Sequence, residues 1–92
     1  MTVRWTVSGL GDLESLHAFI EADNRDAAAD TVDRIVELID RLPRHPELGR
    51  KGRVAGTREV ILPPFVTAYR QTRAAIEILG IIHSARRWPD SF

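Results

Sequence analysis

Of seven consecutive residues, Ile76-Glu77-Ile78-Leu79-Gly80-Ile81-Ile82, all but Glu77 are apolar, at both odd and even positions, and this run constrains the fold more than any other feature of the chain. A strand with one face in water alternates apolar and polar side chains. A strand apolar at both parities has neighbours on both sides and cover over most of both faces. Ile76 to His83 is therefore expected to be the central strand of a sheet, and the rest of the chain must supply its partners and its cover.

The segments before it fit that role. Val3-Arg4-Trp5-Thr6-Val7 alternates and reads as a short strand. Ser8 is placed to cap a helix, with Asp12 and Glu14 near its positive end, while Gly9 and Gly11 weaken its first turn. Leu13, Leu16, His17 and Ile20 share one face of that helix. Asn24 or Asp26 can cap a second helix over Ala27 to Leu42, with Val32, Ile35, Ile39 and Leu42 as its apolar stripe. The short join makes the two helices an antiparallel hairpin. Pro43 and Pro46 end the second helix, and Arg50-Lys51-Gly52-Arg53 follows as a basic loop. A strand is expected from Gly56-Thr57 to Leu62, a turn at Pro63-Pro64, a strand from Phe65 to Gln71 and a turn at Thr72-Arg73-Ala74. The order is β-α-α-β-β-β. A meander of three strands, with the first strand beside the last, gives an α+β two-layer sandwich: a helical hairpin on a four-stranded, mainly antiparallel sheet.

Length and composition bound the rest. Ninety-two residues make one domain, 1–92. A hydrophobic content of 43% with no net charge argues against disorder. There is no cysteine, so neither a disulfide nor a thiolate metal site can form, which suits a reducing cytoplasm. No segment approaches the roughly 20 apolar residues of a membrane span, and the N-terminus lacks the apolar core of a signal peptide. The zero net charge hides an asymmetry. Residues 1–46 hold five basic against nine acidic side chains, a formal −4, and residues 47–92 hold eight against four, a formal +4. A chain that coats nucleic acid is usually basic throughout, and this one is not.

Little conventional site chemistry is present. His17, His45 and His83 lie on different elements with no ligand spacing, so no metal is expected. Gly9-Leu10-Gly11 lacks the third glycine and the Lys-Ser/Thr of a phosphate loop, so no nucleotide or other cofactor is expected, and Ser8 and Ser15 lack a nucleophile elbow, so no serine hydrolase is expected. What remains is a basic set: Arg50, Lys51, Arg53, Arg58, Arg70, His83, Arg86 and Arg87, with Trp88 beside it. If a sheet brings these together, two functions fit. RNA cleavage at a 2′-hydroxyl needs a proton acceptor, cations for the phosphate and a proton donor, which His83 and the arginines can supply, with Trp88 stacking on a base. A protein-binding surface fits equally, since Arg and Trp are favoured interface anchors.

The order and spacing of several short motifs resemble those of the RelE/ParE superfamily of type II toxin–antitoxin toxins. They are Pro46-Glu47-Leu48-Gly49-Arg50, Gly56-Thr57-Arg58-Glu59-Val60, Ala68-Tyr69-Arg70, and Ile76-Glu77-Ile78-Leu79 running into His83-Ser84-Ala85-Arg86-Arg87-Trp88-Pro89. The resemblance covers nearly the whole chain. It implies a bacterial growth inhibitor, of the kind associated with plasmid stabilisation. Its cognate antitoxin would lay an extended segment over it in a hetero-oligomer.

The superfamily divides by target, and so does the expectation. One branch cleaves mRNA on the ribosome, and its members typically carry an Arg near the start of the third strand. The matching position here is Val66, which cannot bind phosphate. The other branch, ParE-like, poisons DNA gyrase. The Thr-Arg-Glu strand and the His-x-Ala-Arg-x-Trp ending resemble this branch more closely. It is therefore the favoured one, with Arg50, Lys51, Arg53, Arg58, Arg86, Arg87 and Trp88 as target-binding residues. The ribonuclease alternative would use Arg58, His83 and Arg86, and a relative that only binds its antitoxin is the third possibility.

Overall fold

Thr6 ends the first strand and starts the first helix. Its Oγ1 accepts the Gly9 N–H at 3.0 Å and donates to the Ile78 carbonyl at 2.7 Å. The cap expected at Ser8 is thus two residues earlier, because only Thr6 has its backbone extended and its hydroxyl beside both groups. The computed structural model describes residues 1–92. Its elements are β1 (Thr2–Trp5), α1 (Val7–Glu21), α2 (Arg25–Asp40), β2 (Arg50–Lys51), β3 (Arg58–Leu62), β4 (Phe65–Gln71) and β5 (Ala75–His83). Asn24 caps α2, its Oδ1 accepting the Ala27 N–H at 3.0 Å. Neither helix is long and apolar enough to cross a membrane.

The sheet has five strands in the order β1-β5-β4-β3-β2. Four were expected. The extra one is β2, where Arg50 and Lys51 pair with Glu59 and Arg58. Local propensity gives no hint of it, because a tertiary ion pair described below holds the short ladder in place. β1 runs parallel to β5, and the other pairings are antiparallel. β5 is thus bonded on both sides, as its double apolar parity requires. Opposite β4 it carries an irregularity: Ala68 pairs with Gly80 and Tyr69 with Ile78, which leaves Leu79 as the extra residue. β1 stops opposite Ile78, and Asp12 of α1 takes over beyond it, accepting the Ile81 N–H at 2.9 Å.

The helical hairpin covers one face. Leu16, Ile35, Ile39 and Leu42 meet Val60, Tyr69, Ile76, Ile78 and Ile81 in one core cluster. Each such side chain contributes about 1.5–3 kcal/mol on burial. α1 approaches β5 very closely at Gly9, where a Cβ would collide with the Ile78 carbonyl oxygen. The glycine that lowers helix propensity is therefore what lets the helix seat.

Side chains alternate across a sheet, so the second face carries Arg4, Glu59, Val66, Ala68, Arg70 and Glu77. One end of that face is charged: Glu77 pairs with Arg70 at 3.2 Å and with Arg4 at 3.9 Å. The other end is apolar and closed. Val66 and Ala68 are 2% and 0% exposed, although no helix packs there. Residues 84–92 return over this side: Trp88 lies against Arg53 and Phe92 lies beside Gly80.

Candidate functional site

Glu59 organises the basic surface. It sits on β3 with its side chain 1% exposed, where an unpaired carboxylate would be very costly. It is instead heavily bonded. Arg50 donates to Oε1 from Nη2 at 2.9 Å and from Nε at 3.2 Å, and the Arg53 N–H donates to Oε2 at 2.9 Å. The Arg53 Nε lies 3.7 Å from Oε1. One buried anion therefore bonds the Arg50 guanidinium and the Arg53 main chain and keeps the Arg53 guanidinium close, while the two arginine side chains are 52% and 47% exposed. Arg53 continues the chain of contacts, with its Cζ 4.0 Å from the centroid of the Trp88 ring, a cation–π stack.

Tyr69 holds the segment before β2. Its hydroxyl donates to the Pro46 carbonyl at 2.7 Å and accepts the Gly49 N–H at 2.9 Å. Burial pushes the Tyr69 phenol above its ordinary value of 10.0, and the Gly49 bond and nearby Arg58 offset this only partly. Gly49 is required there, since a Cβ would stand 2.7 Å from both Glu59 O and Tyr69 Cε1. Arg58 reinforces the same segment, its Nη1 donating to the Gly49 carbonyl at 2.8 Å.

A separate groove of about 300 Å³ lies between α1 and the ends of β4 and β5. Leu16, Phe19, Phe65 and Ile81 form its walls, and His83 and Arg86 are among its polar residues. Phe19 is 77% exposed at its lip. The His83 ring stands edge-on to Phe65, with centroids 5.7 Å apart, and its Nδ1 accepts the Ala85 N–H at 3.0 Å.

The structure thus brings together part of the residue set singled out from sequence. Arg50, Arg53 and Trp88 share one site through Glu59, and Lys51 is exposed beside them on β2. His83 and Arg86 share the groove, and Arg58 is not among the residues that line it. Arg87 is exposed on the C-terminal segment, and Arg70 belongs to the ion pairs at the far end of the sheet. Sequence reasoning missed Glu59 and Tyr69 as organising residues. Both lie within the motifs that carried the family resemblance, and that was the available signal.

Comparison with known proteins agrees with the architecture. Y4kP of Sinorhizobium fredii, provisionally designated a toxin, is 42% identical over 89 residues, covering 95% of this chain and 92% of the relative. Toxin RelE2 of Caulobacter vibrioides is 31% identical over 84 residues, covering 91% of this chain and 96% of that one. Among solved structures, a chain of the chromosomal ParDE system from P. aeruginosa superposes with a TM-score of 0.82 at 27% identity, covering 90% of this chain and 95% of that chain. A chain of the Mycobacterium tuberculosis RelBE2 toxin–antitoxin complex gives a TM-score of 0.64 at 25% identity, covering 89% and 95%. Residues 3–88 match the family model described as ParE toxin of type II toxin–antitoxin system, parDE, so the chain belongs to the ParE toxin family of the RelE/ParE superfamily.

Proposed function

We infer that this toxin arrests growth by binding DNA gyrase and trapping it with broken DNA, and that a cognate antitoxin holds it in check in the cytoplasm. The observation that carries this reading is how the cations are used. Arg58 is bonded to a main-chain carbonyl, the Arg50 guanidinium is bonded to Glu59, and the Arg53 guanidinium lies 3.7 Å from the same carboxylate. Val66, where the ribonuclease branch would carry an Arg, is 2% exposed. Fixed, half-exposed guanidinium groups beside an indole suit contact with a protein surface better than phosphate cleavage. Arg50, Lys51, Arg53, Arg58, Arg86, Arg87 and Trp88 are the binding residues in this reading. The match to the ParE family supports it, and the neighbouring ParDE and RelBE2 systems support an antitoxin partner.

A gyrase supercoiling and cleavage assay with purified protein is the test. Accumulation of cleaved DNA is the expected result, and full supercoiling activity at high molar excess of toxin overturns the reading. Ribosome-dependent mRNA cleavage is the second reading, favoured by His83 and Arg86 lining one groove. It requires cut transcripts in a translating extract. Expression without any growth arrest would leave a relative that only binds antitoxin.

A further inference from the structure

We propose that residues 87–92 form a detachable strap over the sheet face opposite the helices, latched by Trp88 on Arg53 and by Phe92 on Gly80, with its hinge at His83–Arg86.

The sheet is shaped to receive it. The register aligns Arg50, Glu59, Ala68 and Gly80 in one row across β2, β3, β4 and β5. The last two are the smallest residues available, so the row forms a trough on the face that no helix covers. Aromatic side chains occupy its two ends. Trp88 stacks on the guanidinium that lies beside Glu59, and Phe92, itself 44% exposed, lies against Gly80, where a Cβ would stand 3.1 Å from both Phe92 Cε1 and Asp12 Oδ2. Ala68, between them, has no solvent exposure.

The way the strap is held makes it removable. The last main-chain hydrogen bonds of the chain are Ser84 N–H to the Pro64 carbonyl and Arg86 N–H to the His83 carbonyl, at 2.8 and 2.9 Å. Beyond Arg86 no backbone hydrogen bond fixes the segment, and Pro89 has no N–H to give. The Trp88 Nε1 is buried without a partner, so the closed state carries an unmet donor that opening to water satisfies. Two aromatic contacts without a backbone ladder describe a segment at the low-stability end of a fold, able to open while the helix-side core stays intact. Opening bares Ala68 and Gly80 and frees the Arg53 guanidinium from its stack.

Acrylamide quenching of Trp88 in a Trp5→Phe background tests this. The closed strap predicts protection in the parent and a rise in the quenching constant of at least about twofold in both Arg53→Ala and Phe92→Ala, with far-UV circular dichroism unchanged. A chain ending at Arg86 should then bind a hydrophobic dye more strongly than the full chain, whose groove beside α1 is common to both. If Trp5→Phe fails to fold, fluorotryptophan NMR of the full chain, assigned through Trp88→Phe, gives the same readout of Trp88. A parent whose Trp88 is quenched as freely as a model tryptophan amide overturns the proposal, as does protection that neither substitution changes.

Discussion

Glu59 and Arg50 form the shortest ion pair in the protein, 2.9 Å, between a carboxylate sealed from water and a guanidinium that still reaches it. The asymmetry decides what the pair does. Arg50 can be solvated without Glu59, whereas Glu59 cannot remain buried without its donors. Glu59→Gln keeps the shape and removes the charge. It should lower stability by about 1–3 kcal/mol in urea denaturation, since a buried charge-assisted network is lost. Because the two residues share one network, Glu59→Gln and Arg50→Ala should be non-additive in a double-mutant cycle.

Tyr69 gives a prediction with a sign. The chain has one tyrosine, so its titration is uniquely observable. The folded-state value is raised by burial above the ordinary 10.0. The unfolded chain therefore loses this proton first as pH rises. The stabilising contribution is complete below that ordinary value and declines as pH passes it toward the folded value. Tyr69→Phe should abolish this alkaline decline. At neutral pH it should cost about 1–3 kcal/mol, because the buried Gly49 N–H loses its acceptor. Denaturant melts across pH, compared with tyrosinate absorbance, check both statements.

Much of this fold was legible because hydrophobic period is a local signal. The double parity of 76–82 places β5 inside the sheet, and the stripe at Ile35 and Ile39 gives the buried face of α2, with Leu42 just beyond its end in the same core. The local patterns gave the order of elements, which the resemblance shares, and the distribution of charge placed most basic residues in one half. What was not legible depends on partners distant in sequence. β2 exists because Glu59 draws Arg50 across to β3. The cover on the second face comes from the last residues of the chain, where no periodicity announces packing. Gly9 read as a flaw because helix propensity says nothing of a carbonyl on a strand 69 positions later.

That last point separates two glycines two residues apart on α1. Gly9→Ala places a Cβ into the Ile78 backbone carbonyl, which cannot move without disturbing β5, and overpacking of this kind costs about 1–3 kcal/mol. At Gly11 a Cβ meets nothing within 4 Å. Gly11→Ala should therefore stabilise by about 0.5–1 kcal/mol through helix propensity alone. Opposite shifts in thermal midpoint are the expected outcome, and a common sign would show that the close approach of α1 to β5 is wrong.

His83 separates the two readings of function most sharply. Its Nδ1 is engaged by the Ala85 N–H, which leaves Nε2 as the one nitrogen able to exchange a proton with a substrate. A general acid or base in RNA cleavage typically contributes about 10²–10⁴-fold in rate, so a ribonuclease should lose most of its activity in His83→Ala. A gyrase toxin binding through Arg50, Arg53 and Trp88 uses no such proton transfer. His83→Ala should then arrest growth and inhibit supercoiling nearly as the parent does, while Arg53→Ala weakens both. The paired variants must be compared at equal folded concentration, since His83 also packs against Phe65. Loss of arrest in folded His83→Ala, together with intact arrest in Arg53→Ala, would move the active surface from the Glu59 site to the groove beside α1.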